Sequence, residues 1–308
     1  MRIVRDHVNL SANDRGAAVA IGNFDGIHLG HQAVIDIARD LPGPTGVLTF
    51  EPHPREHFAP DAPPFRLMNA GAKAHRLQML GLDILYELSF GPDLTQLSPQ
   101  AFASDILADG LGIAHAVVGA DFCFGKDRVG TAEDLARFGA ELGFGVTIAP
   151  LLATGGVEVS STRIRAALTE GRPDEAAEML GHLHRIEGAV IQGDQRGRDL
   201  GYPTANMSIL GLHPPRFGIY AVRASILTGP HLGDYTGVAN IGVRPMFTGA
   251  EAIPNLETHI FDFKGDIYGE TLSVALVDYL RGEAKFDSLD ALITQMDADS
   301  AKARAILG

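Results

Sequence analysis

The stretch GNFDGIHLGH, residues 22–31, decides how the first half of the chain is read. An apolar run, Ala17 to Ile21, leads into it, and a helical pattern, His31 to Arg39, leads out. Strand, Gly-rich turn, helix: that order places a loop and a helix N-terminus at the carboxyl edge of a sheet, where open α/β sheets bind small ligands. The N–H groups and positive dipole end of a helix favour phosphate there. Gly22 and Gly26 let backbone approach a ligand with no Cβ in the way. His28 and His31 are three apart and share a helical face. Two imidazoles aimed at phosphate suit charge that builds up during attack on phosphorus. Zinc is a poorer reading, because no Cys, His or carboxylate cluster nearby completes a tetrahedral site, and the plain alternative is a pair of satisfied surface histidines.

Outward from this stretch, short apolar runs alternate with amphipathic ones. Strands are expected at Ala17–Ile21, Thr45–Phe50, Asp83–Leu88, Ala116–Gly119 and Val146–Pro150. Helices are expected at His31–Arg39, Ala70–Leu80, Pro99–Asp109, Ala132–Leu142 and Thr162–Glu170. This is the pattern of parallel βαβ units in a doubly wound, Rossmann-like sheet. Ser98 before Pro99, and Thr131 three residues before Asp134, read as helix starts.

Past residue 172 the period changes. After a helix at Pro173–Leu180 come runs of period two at Ile186–Gln192, Gly218–Ile226, Tyr235–Ile241, Leu256–Phe263 and Leu272–Tyr279. Gly, Pro and Asn clusters separate them, as in an antiparallel sheet or small closed barrel. A last helix is expected over Ser288–Leu307, its Leu289, Leu292, Ile293 and Met296 serving packing. A boundary near residue 183 divides the chain into 1–183 and 184–308.

Composition narrows the partners. A chain of 308 residues accommodates two cores, and its formal charge of −13 argues against an extended nucleic-acid partner. A single cysteine, Cys123, excludes an internal disulfide and suits a reducing cytoplasm. No apolar run reaches membrane-spanning length, and the amino terminus, MRIVRDHVNL, lacks a secretion-signal core. Nothing in the sequence fixes an oligomeric state.

Three further stretches of the first part carry more special residues than packing needs: TFEPHP (49–54), GADFCFG (119–125) and VSSTRIR (159–165). The topology places them, with GNFDGIHLGH, on one rim of the sheet. Ser161 and Thr162 at a helix start, followed by Arg163 and Arg165, suit phosphate, or simply cap the helix. Asp121 suits substrate hydroxyls. Phe122 and Phe124 either stack on a planar ring or fill the core, and Cys123, with no base close in sequence, reads as a bystander.

In the second part GRDLGYPTAN (197–206) stands out. Gly197 and Gly201 bracket a loop, and Pro203 fixes the backbone before Thr204 and Asn206. Two apart in an extended segment, Thr204 and Asn206 point to one side and offer hard oxygens to Mg²⁺. Arg196 and Arg198 add charge for a nucleotide. In NLETHIFDFKGDIYG (255–269), Glu257 is either a solvated strand glutamate or a poised base, and it is the choice for a base that takes a hydroxyl proton in phosphoryl transfer.

HLGH together with SSTxxR resembles the paired signatures of nucleotidyltransferases that attack the α-phosphorus of ATP or CTP. With TFEPHP, GADFCFG and the following Arg128 and Gly130, GRDLGYPTAN, GVANIGVRP, ETHIFDFKGDIYG and KFDSLDALITQM in order, nearly the whole chain resembles the bacterial bifunctional riboflavin kinase/FAD synthetases. That resemblance implies a nucleotidyltransferase-type α/β domain followed by a six-stranded barrel with a final helix. It implies that the carboxyl-terminal domain phosphorylates riboflavin with ATP and the amino-terminal domain adenylylates FMN with a second ATP, giving FAD and pyrophosphate. By position, His28, His31, Ser161, Thr162 and Arg165 would bind ATP phosphates. Gly22, Asn23, Phe24 and Asp121 would lie near nucleotide and flavin. Thr204 and Asn206 would hold Mg²⁺ and ATP alongside Arg196 and Gly201, with Glu257 as base. Met246 stands where the family usually has Thr, and HLHRIEG after Gly181 replaces the commoner RPYRISG. The alternatives are a nucleotidyltransferase for another phosphorylated acceptor and a flavin-binding regulator with dead sites. All the signature residues being present, the sequence favours the enzyme.

Overall fold

The computed structural model describes residues 1–150, 153–154, 157–193, 201–244 and 253–308. They group into two compact units, Met1–Ala62 with Lys73–Val159, and Pro63–Ala72 with Ser160–Gly308.

The first unit is built on a six-stranded sheet of Arg2–Val4 (β1), Ala18–Ile21 (β2), Thr45–Glu51 (β3), Ile84–Ser89 (β4), His115–Gly119 (β5) and Gly145–Ala149 (β6). The order is β1-β4-β3-β2-β5-β6 and every pairing is parallel. All four residues of β2 are buried, as a strand covered on both faces requires. From β2 the chain runs outward through β3 to β4, then crosses to β5 on the other side. The carboxyl ends of β2 and β5 therefore flank the point where strand order reverses. Each of the five strands expected here is present within a residue or two. Only the short edge strand β1 lacked a sequence signal.

Helix Leu29–Arg39 (α1) begins two residues before the apolar pattern suggests, because His28 caps it with its own ring. Ala70–Met79 (α2) follows β3. The expected helix after Pro99 is present, but Phe102–Leu111 is wound as a π-helix that stops at Gly112, whose φ is +57°. Ala132–Leu142 (α3) matches its expected span, with Thr131 and Asp134 forming a reciprocal cap.

The second unit contains Ser161–Thr169 (α4) and Pro173–Leu180 (α5), then strands Arg185–Ala189 (β7), Ala205–Ser208 (β8), Gly218–Ile226 (β9), Gly233–Arg244 (β10), Ile253–Ile260 (β11) and Thr271–Arg281 (β12). They form an antiparallel sheet in the order β7-β12-β9-β10-β11-β8. An antiparallel bridge between Ile191, just past β7, and Asn206 in β8 nearly closes it into a barrel. Met207, Tyr220, Val222, Ile241, Leu256 and Val274 are among the side chains filling its core. Leu289–Leu307 (α6), capped by Ser288, packs its Ala303 and Leu307 on Ala221 and Phe261. Leu67 joins Ile164, Ala167, Leu168, Ala176 and Leu180 of α4 and α5 in a separate small core.

Candidate active sites

In the first unit the loops after β2, β3 and β5 rise from the same, carboxyl edge of the sheet, so three of the four marked stretches share a rim. The fourth opens α4 and is counted with the second unit, but Val159 just before it belongs to the first. Its carbonyl lies 3.9 Å from where a Cβ on Gly30 would sit.

The loop after β2 is tightly wound: Phe24, Gly26 and Ile27 have φ of +51°, +87° and +45°. Its backbone is anchored at Gly22, whose N–H donates to the Leu48 carbonyl at 3.1 Å. Asn23 is exposed, while Phe24, Asp25, Ile27 and His28 are buried. His28 Nδ1 accepts from the His31 N–H at 3.3 Å, and the two rings stack with centroids 3.6 Å apart and planes 16° off parallel. A Cβ on Gly30 would come within 3.2 Å of the His28 ring, so the glycine lets this stack form. His31 Nδ1 is buried and has no hydrogen-bond partner among the described residues. Burial above all, then the neighbouring His28 and the Lys73 ammonium, holds the His31 pKa well below the ordinary imidazole range. His31 is thus neutral at pH 7, with a nitrogen left over for a ligand.

Beneath this loop lies Lys73 of α2, 1% exposed. Its ammonium donates to Thr49 Oγ1 at 3.2 Å and to Glu51 Oε1 at 2.9 Å, and Thr49 Oγ1 in turn donates to the Asn23 carbonyl at 3.1 Å. In TFEPHP, His53 caps the short helix Pro54–Phe58 and Glu56 returns a carboxylate to the His53 N–H. After β5, Asp121 is exposed, Phe124 is buried against Phe102, and Phe122 stacks on Phe124 at 5.4 Å. Phe124 is therefore core. Cys123 is exposed, its thiol 3.6 Å from the Asp121 carbonyl.

At α4, Ser160 takes the cap position without a side-chain cap bond, and Ser161 and Thr162 stand on the first helical turn. Thr162 and Arg163 are exposed. The Arg165 guanidinium lies 5.4 Å from the Phe65 ring, with Nε donating to the Phe65 carbonyl at 2.5 Å.

The second site lies on the barrel wall. Asn206, Glu257 and Asn240 are direct cross-strand neighbours on β8, β11 and β10, forming one row. Asn206 is buried, and its Nδ2 donates to the Thr204 carbonyl at 3.3 Å and to Thr204 Oγ1 at 3.4 Å. Thr204 and Asn206 thus face one way, as the extended reading expects. Buried Asn255 donates from Nδ2 to both Asn206 Oδ1 at 3.2 Å and Glu257 Oε1 at 3.1 Å. A Cβ on Gly193 would fall 2.5 Å from Asn206 Nδ2, so that glycine makes room for the amide. Thr204, Asn240, Glu257, Tyr202, Leu292 and Met296 help line a cavity of about 290 Å³, near the small end of small-molecule sites. Asn240 Oδ1 is buried with no partner among the described residues. Arg196, Gly197, Arg198 and Met246 lie outside the described residues, and Gly201 is an exposed turn residue with φ +81°.

Lys73, Thr49, Asn240 and Asn255 were missed by the sequence reading. Asn255 had a signal, since it lies two residues before Glu257 on a strand and shares its face. Lys73, one lysine within AGAKAHRL, had none. Among the described residues no group of three or more His, Cys, Asp or Glu could hold a metal ion. No helix of these residues is long and apolar enough to cross a membrane.

A family model for FAD synthetase matches residues 10–163, and one for riboflavin kinase matches residues 180–307. The chain is 42% identical to a bifunctional riboflavin kinase/FMN adenylyltransferase of Pseudomonas fluorescens, over 99% of this chain and 98% of that one. It is 38% identical to the protein of the same name from Escherichia coli K12, over 100% and 98%. A crystal structure described as a macrolide-efflux protein from Streptococcus pneumoniae is 33% identical, with a TM-score of 0.82 and 98% of both chains covered. Two family models in order and full-length likeness to bifunctional relatives assign both reactions: ATP phosphorylates riboflavin in the carboxyl-terminal part, and ATP adenylylates FMN in the amino-terminal part. The chain belongs to the bifunctional riboflavin kinase/FMN adenylyltransferases.

Proposed function

We propose that the kinase reaction runs on the Thr204–Asn206–Glu257 row and the adenylyl transfer on the histidine loop with Ser161, Thr162 and Arg165, with the functional boundary near residue 183. What supports the kinase assignment is the buried Asn255 amide, which donates both to the Asn206 oxygen and to the carboxylate of Glu257, a residue that with Thr204 lines the cavity.

In the kinase, Glu257 takes the proton from the terminal ribityl hydroxyl of riboflavin as that oxygen bonds to the γ-phosphorus of ATP. The bond to the bridging oxygen breaks and ADP leaves. Thr204 Oγ1 and Asn206 Oδ1 are the hard oxygens that would hold Mg²⁺. Their chemistry suits an ion that would offset phosphate charge. In the adenylyl transfer, a phosphate oxygen of FMN attacks the α-phosphorus of ATP and pyrophosphate leaves. Neutral His31 offers hydrogen bonds to the phosphates. His28 fixes the ring of His31 by stacking, and Ser161, Thr162 and Arg165 add hydroxyls and positive charge. Gly22, Asn23, Phe24 and Asp121 shape the nucleotide and flavin contacts of the same rim, and Arg196 and Gly201 the ATP loop of the kinase. The reading includes residence in the cytoplasm, where riboflavin and ATP meet.

Incubation with riboflavin, ATP and Mg²⁺, with products separated by chromatography, tests it. Asn206→Ala and Glu257→Gln abolish FMN formation and spare conversion of supplied FMN to FAD. His31→Ala and Arg165→Ala do the reverse, with losses of about 100-fold or more for removal of a group that acts on the transferred phosphorus. A single substitution that removes both activities from a folded protein overturns the division of labour.

A further inference from the structure

We propose that Lys73 is a positioning residue for adenylyl transfer: its buried ammonium staples together two rim loops of the first unit. The inference rests on the assignment of that rim to the nucleotide.

Lys73 is 1% exposed, a rare state for a lysine unless its charge is matched. The match is Glu51 at 2.9 Å, the last residue of β3, so the ion pair fixes the start of the Pro52–His53 loop. Its second contact runs the other way. Lys73 donates to Thr49 Oγ1 at 3.2 Å, which turns the Thr49 hydroxyl hydrogen onto the Asn23 carbonyl 3.1 Å away. Asn23 lies in the loop that places His28 and His31. That loop holds two non-glycine residues at positive φ, Phe24 and Ile27, a conformation that persists only when its surroundings over-determine it. One ammonium therefore reaches both loops, through a carboxylate on one side and a hydroxyl relay on the other. Taking a lysine out of water costs several kcal/mol that a pair alone seldom returns. A hydrophobic residue at 73 would fill the same core without that cost, so the charge serves geometry rather than stability. The same ammonium helps keep the His31 imidazole uncharged.

The test measures FAD formation from FMN and ATP in the full chain, with riboflavin phosphorylation by the same preparation as internal control. Lys73→Met paired with Glu51→Gln removes the charge without leaving a carboxylate buried alone. Thr49→Val cuts only the relay, at constant volume. Lys73→Arg keeps a charge and a donor. The double variant is expected to lose about 30- to 100-fold in kcat, the scale of a displacement of about 1 Å in a reacting geometry, while KM for FMN moves less than about threefold. Thr49→Val loses about tenfold in kcat, and Lys73→Arg recovers most of the loss. Wild-type kcat in both the double variant and Thr49→Val overturns the proposal, as does a loss confined to KM or to melting temperature. His31→Ala, run alongside, separates the two readings. If it retains FAD formation, the nucleotide site itself is misplaced. If it abolishes FAD formation while the Lys73 and Thr49 variants stay active, only the role of the lysine falls.

Discussion

Single residues carry more of this chemistry than their types announce. Asn255 is neither a base nor a metal ligand, yet its one amide donates to both of the residues proposed for those roles, Glu257 and Asn206. His184 carries a different consequence. It is 4% exposed, and burial first, then His182 and His213, pushes its pKa down to about 3. An unfolded chain takes up a proton there below about pH 6.5, which the folded chain refuses until about pH 3. The stability that His184 confers is therefore intact above pH 6.5 and is lost progressively as pH falls from 6.5 towards 3. Urea unfolding across that range is expected to show a decline of a few kcal/mol that His184→Leu flattens. An unchanged slope in the variant would assign the acid sensitivity elsewhere. Legibility at this scale was uneven. Histidines, glycines and prolines in loops were readable because their chemistry is tied to local spacing. Lys73 was not, because what makes it special is the depth of its burial and a partner 22 residues away in sequence.

Elements were the most legible level. Apolar period and cap chemistry located all five expected strands of the parallel sheet and the span of α3, since both signals are local. The strand β8 was legible only as an extended segment at Thr204 and Asn206, not as a member of the sheet. It is four residues long, Gly and Pro stand just ahead of it, and its pairing with β11 is non-local. What no periodicity reports is how α6 is tied to the barrel. Arg281 at the end of β12 grips Asp299 of α6 with Nε 3.0 Å from both carboxylate oxygens and Nη2 2.7 Å from Oδ2, and Gln295 adds a bond at 2.9 Å. Asp299 is 6% exposed. Asp299→Ala strands that guanidinium and is expected to cost on the order of 2–4 kcal/mol, read as a lowered urea midpoint. Because Leu292 and Met296 of α6 line the cavity, KM for riboflavin rises in the same variant, and FMN adenylylation is unaffected. A kinase KM equal to wild type would mean that α6 holds its place without the pair.

At the scale of the whole molecule, two periods in one sequence announced two architectures, and each is present. The exchange of a segment between compact units was not announced. Pro63–Ala72 groups with Ser160–Gly308, and Leu67 within it packs on α4 and α5. A fragment beginning at Ser160 lacks Leu67 and uncovers Ile164 and Leu168, apolar side chains that are fully buried in the intact chain. It is expected to unfold at a temperature several degrees below the corresponding transition of the full protein, as a loss of about 2 kcal/mol from one deleted core leucine implies. Supplying residues 63–72 through a flexible linker restores it. Equal melting would show that the small core closes on itself.

The antiparallel bridge that joins Ile191 to Asn206 has a consequence of its own. The backbone of Asn206 latches the last gap in the sheet, while its side chain is the oxygen assigned to the metal. Seam and proposed ligand are one residue. On that assignment, any event that parts the seam, whether heat, a proline at 191 or a tug on the intervening segment, is expected to disarm phosphoryl transfer before the remainder of the cylinder has come undone.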